Sequence, residues 1–203
     1  MDKPQGFSLA ILAGGKSSRM GRDKGLLPFQ GMTMVEYILK QVEGLGADTF
    51  IISNHPENYQ GLGLPVYKDV IPDIGTLGGV YSAVAYAIQP FCIVLACDMP
   101  FINRELLDYL LSFVPDYDVI VPRIKAQEFA EPLRGVYGKS CLQPIEETLA
   151  AGQRRVVDFF DKVHVRYVEK SEVERFDPQG LSFFNVNRMA DLREAERIAE
   201  TLL

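Results

Sequence analysis

No apolar run in the chain approaches the roughly 20 residues needed to cross a bilayer. Its opening, Met1-Asp2-Lys3-Pro4-Gln5-Gly6, leads straight into an apolar segment too short for a signal-peptide core. Neither a membrane span nor a secretory leader is expected, and a cytoplasmic protein is. Cysteine is scarce. Cys92, Cys97 and Cys141 are odd in number and lack C-x-x-C spacing, which argues against a disulfide framework or a zinc site and for three small buried hydrophobes. Positive charge is also in short supply, with 21 Lys and Arg against 27 Asp and Glu and a net charge of -6. A surface built for phosphate backbones shows as a basic total, so nucleic acid is not an expected partner. Two familiar nucleotide signatures are missing as well. There is no G-x-G-x-x-G, and Gly15-Lys16-Ser17 mimics the end of a P-loop but has Ala10 where the first glycine belongs. ATPase, GTPase and dinucleotide-dehydrogenase readings lose their main support. Internal repeats and low-complexity tracts are absent too.

What is present is the composition of an ordinary globular protein, 47% hydrophobic and 24% charged over 203 residues, enough for one domain with a substantial core. Short β-type runs alternate with helix-type segments, which predicts an α/β fold with helices on both faces of a sheet. Strands are expected at Phe7 to Leu12, Thr49 to Ser53, Pro65 to Lys68, Phe91 to Ala96 and Val119 to Pro122. Thr33-Met34-Val35-Glu36 matches a capping box, with Val35, Ile38, Leu39, Val42 and Leu45 on one helical face and Gly44 and Gly46 ending the helix. A second helix is expected over Val80 to Ile88, and Asn103 can cap a third carrying Leu106, Leu107, Leu110 and Leu111. From Arg123 the pattern loosens, with a β-type Leu133 to Tyr137, helices near Ser140 to Ala151 and Val156 to Lys162, a strand near Val163 to Val168 and a final helix after Phe183-Phe184-Asn185-Val186-Asn187. The organisation expected is a single domain over 1–203, a nucleotide-binding half over 1–122 followed by an acceptor-binding elaboration over 123–203.

In an open α/β sheet, ligands sit outside the carboxyl ends of the strands. After the first strand comes Leu12-Ala13-Gly14-Gly15-Lys16-Ser17-Ser18-Arg19-Met20-Gly21-Arg22-Asp23-Lys24, with adjacent glycines that let a backbone approach phosphates and four cations against one acid. In a net-acidic protein, that local positive excess suits a triphosphate. Asp98, in Ala96-Cys97-Asp98-Met99-Pro100 at the carboxyl end of the apolar strand Phe91 to Ala96, is placed to hold Mg²⁺, which usually takes only one or two protein carboxylates. Tyr67-Lys68-Asp69 followed by Gly75-Thr76-Leu77-Gly78-Gly79 repeats the arrangement of strand end, acid and glycine-rich turn. Asp69 there could contact base or ribose, and Gly78 lies at a helix start suited to an anion or close base packing.

With those residues in view, the chain resembles the molybdenum cofactor guanylyltransferases, which convert molybdopterin cofactor and GTP into the guanine dinucleotide form and pyrophosphate. Leu12-Ala13-Gly14-Gly15, Arg19-Met20-Gly21 and Lys24 resemble a signature shared by several nucleotidyltransferase families, so they imply the reaction type only. Gly152-Gln153-Arg154-Arg155 and Phe184-Asn185-Val186-Asn187 resemble the pterin-side elements and imply the acceptor. The resemblance implies a Rossmann-like three-layer fold with a mostly parallel sheet. It assigns GTP to Leu12, Ala13, Gly14, Gly15, Lys24, Asn54, Asp69 and Gly78, Mg²⁺ to Asp98, and the acceptor to Arg155, Asn185 and Asn187. Lys24, Asp98 and Arg19 are then the catalytic set, with Lys24 at the α-phosphate and Arg19 and the Gly14-Gly15 amides at the β- and γ-phosphates. His55 and His164 have no catalytic duty. GTP and molybdopterin cofactor are the expected substrates, and molybdoenzymes or cofactor-biosynthesis proteins the expected protein partners. Where the family has Thr-Pro, this chain has Arg188-Met189, which leaves Asn187 as the expected cap of the last helix; Ser53 and Asn54 compete for the base contact. Two rivals stay open: a cytidylyltransferase acting on molybdopterin cofactor or on a small sugar- or polyol-phosphate, and a non-catalytic GTP-binding chaperone for molybdoenzyme maturation.

Overall fold

The computed structural model describes residues 6–13, 23–125 and 129–202. In chain order the elements are β1 (Ser8–Leu12), a two-stranded ribbon of β2 (Pro28–Phe29) and β3 (Met32–Thr33), α1 (Met34–Gln41), β4 (Asp48–Ile52), β5 (Val66–Tyr67), α2 (Thr76–Tyr86), β6 (Phe91–Ala96), α3 (Arg104–Leu111), β7 (Val119–Lys125), β8 (Phe129–Ala130), β9 (Arg134–Gly138), α4 (Leu142–Ala150), β10 (Val165–Val168), α5 (Lys170–Val173) and α6 (Met189–Leu202). One sheet carries the order β10-β7-β9-β6-β1-β4-β5, with β8 paired to β7 off that path. Along the path every pairing is parallel except the two made by β9, which runs against both β6 and β7.

The central strands read as continuous apolar runs because both of their faces are buried. Side chains alternate between two cores. Leu9 and Ile11 of β1, Ile51 of β4, Ile93 and Leu95 of β6 and Ile120 of β7 pack into one cluster, with residues of α1, α3 and α6. Ala10 and Leu12, Phe50 and Ile52, Cys92 and Val94, and Val119 and Val121 point the other way, against α2, α4 and the 3₁₀ turns of Val156–Lys162. This is the three-layer arrangement expected, and period-2 alternation on a sheet covered twice is its cause. All three cysteines lie in these cores. Burial raises each thiol, Cys141 to about 12, which keeps it protonated and inert near neutral pH.

Local signals carry the element ends that matter for the site. Thr33 Oγ1 accepts from the Glu36 amide while the Glu36 carboxylate takes the Thr33 amide at 2.7 Å, the reciprocal cap read from the sequence. Asn103 Oδ1 accepts from the Leu106 amide at 2.9 Å and starts α3 as expected. Other expectations shift, among them the second helix, which begins at Thr76 rather than Val80 and so takes Gly78 inside it. α1 ends at Gln41, before Gly44, because the Val42 amide is shared by the Ile38 and Leu39 carbonyls and tightens the last turn. The 156–162 segment is 3₁₀ rather than α-helical, and Val156 and Phe159, three residues apart, both face the core. The division drawn at residue 122 falls inside β7, and β9 and β10 extend the same sheet that β1 begins.

Candidate active site

The chain leaves β1 for β4 and β5 on one side, then returns to place β6 on the other. The carboxyl ends of β1 and β6, paired as Leu12 with Ala96, therefore flank a topological switch point, where open α/β sheets bind their ligands. The Cys97 amide donates to the Leu12 carbonyl at 3.1 Å and extends the ladder one step past the strands. Asp98 follows, half-buried at that edge.

Three distant stretches of sequence meet at Asp98. Lys24 Nζ donates to Asp98 Oδ2 at 2.9 Å and to Asn187 Oδ1 at 2.8 Å. The Val186 amide donates to the Asp98 carbonyl at 2.8 Å, so the segment before α6 is stitched to the loop after β6. Lys24 opens a 3₁₀ turn capped by Asp23, whose carboxylate accepts from the Gly25 amide at 3.1 Å. Beneath it lies Tyr59, 1% exposed, whose hydroxyl is 3.5 Å from the Ala13 carbonyl. Burial and the Asp23 carboxylate push the Tyr59 phenol far up, so it acts there as a neutral donor. A Cβ on Gly25 would fall 2.7 Å from that hydroxyl, which is why the residue after Lys24 is glycine. Gly14, Gly15 and Arg19, assigned to the triphosphate, lie outside the described residues.

A second polar group sits at the carboxyl ends of β4 and β5. Asn54 Nδ2 donates to Asp69 Oδ2 at 2.8 Å, and the Asp69 amide donates back to Asn54 Oδ1 at 3.2 Å, so the two loops brace each other. Ser53 is 1% exposed and its hydroxyl accepts from the His55 amide. Of the two competing residues, Asn54 is the exposed one. Gly78 is buried in the first turn of α2, where a Cβ would meet Ile74 Cβ at 2.8 Å. Packing thus accounts for that glycine.

The acceptor-side residues are not all brought together. Asn187 joins Lys24 and Asp98; Asn185 is exposed two residues before it. Arg155 is held by Asp158, its Nη2 at 2.7 Å from Oδ1 with 82% of its side chain exposed, and no contact among the described residues links it to the Lys24 cluster. The capping expectation for Asn187 fails. Asp191 accepts from the Asn187 and Arg188 amides at 2.9 and 2.8 Å and caps α6 from its first turn, which releases the Asn187 side chain for Lys24. Asp191→Ala is therefore expected to cost about 0.5 to 2 kcal/mol of stability and Asn187→Ala clearly less, a difference measurable by urea unfolding.

Behind Asp98 lies a group that no motif marked. Arg134 is 1% exposed, and Glu131, Asp177 and Asp98 all bear on its charge. Burial lowers its guanidinium to about 10, which leaves it charged at neutral pH. Burial raises the neighbouring Glu131 carboxyl, while the Leu133 amide, donating to it, works in the opposite direction. An arginine heading an apolar β-run was the available signal, but only the antiparallel sense of β9 brings its first residue to the ligand edge.

A lysine and an aspartate in contact at a switch point, with the polar Asn54–Asp69 pair on the adjoining strand ends, fit a nucleotidyltransferase. The chain belongs to the family of the MobA-like NTP transferase domain, whose model matches residues 9–167. It is 37% identical over 196 residues to a Clostridium perfringens (strain SM101 / Type A) protein named "Probable molybdenum cofactor guanylyltransferase", covering 95% of this chain and 98% of that one. Identity is 39% over 190 residues to a Pelotomaculum thermopropionicum protein of the same name, covering 94% and 92%. The solved structure of molybdopterin-guanine dinucleotide biosynthesis protein A from Archaeoglobus fulgidus superposes with a TM-score of 0.82 at 25% identity, covering 96% of this chain and 99% of that one.

Proposed function

We propose that this chain transfers GMP from GTP to the phosphate of molybdopterin cofactor, forming the guanine dinucleotide and releasing pyrophosphate. The observation that carries this reading is the meeting of Lys24, Asp98 and Asn187 at one point, from three segments assigned to nucleotide, metal and acceptor. A phosphate oxygen of the acceptor attacks the α-phosphorus and pyrophosphate departs in line. Because a phosphomonoester is already largely ionised near neutral pH, its second pKa being about 6, no general base is needed. The protein's task is positioning and charge stabilisation.

Lys24 is the group for the α-phosphate, where charge is most concentrated as the new bond forms. Its present contacts with Asp98 and Asn187 hold the ammonium at the site before substrate arrives. Asn54 and Asp69 are the polar pair for ribose or base, and Gly14, Gly15 and Arg19 remain assigned to the outer phosphates. A half-buried carboxylate beside the lysine of the site suits Mg²⁺, which fills most of its octahedron with water and phosphate oxygens, and Asp98 is the residue to hold it. When bound, the ion would supply charge neutralisation across the transferring phosphates. Asn185, Asn187 and Arg155 are left for the acceptor.

The test is product analysis after incubation with Mg²⁺, molybdopterin cofactor and each of the four nucleoside triphosphates in turn. Guanylyl product from GTP alone is expected. Product with CTP only would make it a cytidylyltransferase, and GTP binding without pyrophosphate release would make it a non-catalytic carrier. Within the same assay, Asn185→Ala is expected to keep GTP affinity while weakening molybdopterin binding by about 1 to 3 kcal/mol, the cost of one unpaired polar contact. Calorimetry on each ligand separately checks this; a fall confined to GTP would assign Asn185 to the nucleotide half.

A further inference from the structure

A buried charge is costly, and where only volume must be filled an apolar side chain serves better. Arg134 is nevertheless arginine at 1% exposure, and its position at the start of the antiparallel β9, opposite Leu95 of β6, sets it under the end of the strand that delivers Asp98. Its Nη2 donates to two carbonyls at once. One is Met99, the residue after Asp98, at 3.1 Å; the other is Ser182, in the segment that leads to Asn185 and Asn187, at 2.6 Å. The same Ser182 is gripped from its other side, because the buried Asp177 carboxylate accepts from the Ser182 amide at 2.8 Å and from the Leu181 amide at 3.0 Å. Four residues on, the Val186 amide bonds to the Asp98 carbonyl, and one further Asn187 meets Lys24. Nε and Nη1 of Arg134 have no hydrogen-bond partner among the described residues. Its fixed bonds therefore go wholly to the two segments that build the site.

We propose that Arg134 is a positioning residue, a latch tying the Asp98 loop to the 181–187 segment and so setting where Asn187 and Lys24 stand relative to Asp98. It acts through those residues and touches no substrate. The kinetic part of its test rests on the proposed guanylyl transfer, but the structural part does not.

Arg134→Lys keeps the charge but ends one atom short of Nη2, which alone reaches both carbonyls; Arg134→Met removes the charge and keeps an unbranched apolar stem. By hydrogen exchange, amides of 181–187 in either variant are expected to exchange about tenfold faster while those of β1 and β6 are unchanged. In turnover, Arg134→Lys is expected to lower kcat about tenfold with the GTP dissociation constant within about twofold, and to lower it less than about twofold when Asn187 is already Ala, since the latch then has less left to position. Equal losses of kcat in both backgrounds, exchange that rises uniformly through β1 and β6, or no change in 181–187 would each overturn the latch. If Arg134→Met does not fold, Arg134→Lys alone decides. If the wild type makes no guanylyl product, the proposed function fails and the exchange data still decide the latch.

Discussion

Asp98→Asn is expected to lower the rate of transfer by about a thousandfold, the equivalent of about 4 kcal/mol in the barrier, while the protein stays folded. The two effects separate because of what Asp98 does in each state. Without substrate its Oδ2 accepts from Lys24, and an amide oxygen can accept the same bond. Both side chains are only about one-fifth exposed, but the amide leaves Lys24 its acceptor, so the change from ion pair to neutral acceptor is expected to cost far less than the loss in rate. During turnover the amide lacks the charge that would hold a divalent cation against the phosphates. The check is single-turnover pyrophosphate release beside thermal unfolding. Near-wild-type turnover at ordinary Mg²⁺ would remove Asp98 from the site, and unfolding at room temperature would make its role structural.

Lys24→Ala is expected to lower kcat by about a hundredfold and GTP affinity by less than about tenfold. An ammonium that served ground state and transition state equally would lower both alike; one aimed at the α-phosphate meets its greatest charge only as the bond forms. The variant also frees Asp98 and Asn187, which share Lys24 as donor. Repeating the measurement in Asn187→Ala tells whether the lysine's effect runs through the acceptor segment, because groups acting as a unit are not additive. Equal losses in kcat and affinity would mean simple phosphate binding by Lys24.

Legibility in the sequence tracks the distance over which each interaction acts. The Thr33 to Glu36 box and the Asn103 cap are bonds across three residues, and both hold in the structure. The cap of α6 is equally local, yet residue type alone points to Asn187. Asp191, placed within the first turn, competes for the same amides, and a lysine 163 positions away engages the asparagine. Ser53 and Asn54 could not be told apart by type, since both are small and polar; the parallel register of β4 and β5 buries one and exposes the other.

The sequence by itself determined that the chain is an α/β protein with a twice-covered sheet, that the turns after its strands carry glycines, cations and an aspartate suited to phosphates and a metal, and which family it resembles. Periodicity, capping chemistry and residue spacing are short-range properties, and they are written along the chain. Only the tertiary structure decided that β9 runs against its neighbours, that Arg134 is therefore buried behind Asp98, and that Lys24, Asp98 and Asn187 converge while Arg155 turns instead to Asp158. Strand direction and the meeting of segments more than 70 residues apart depend on how the whole core packs, and no local pattern encodes that.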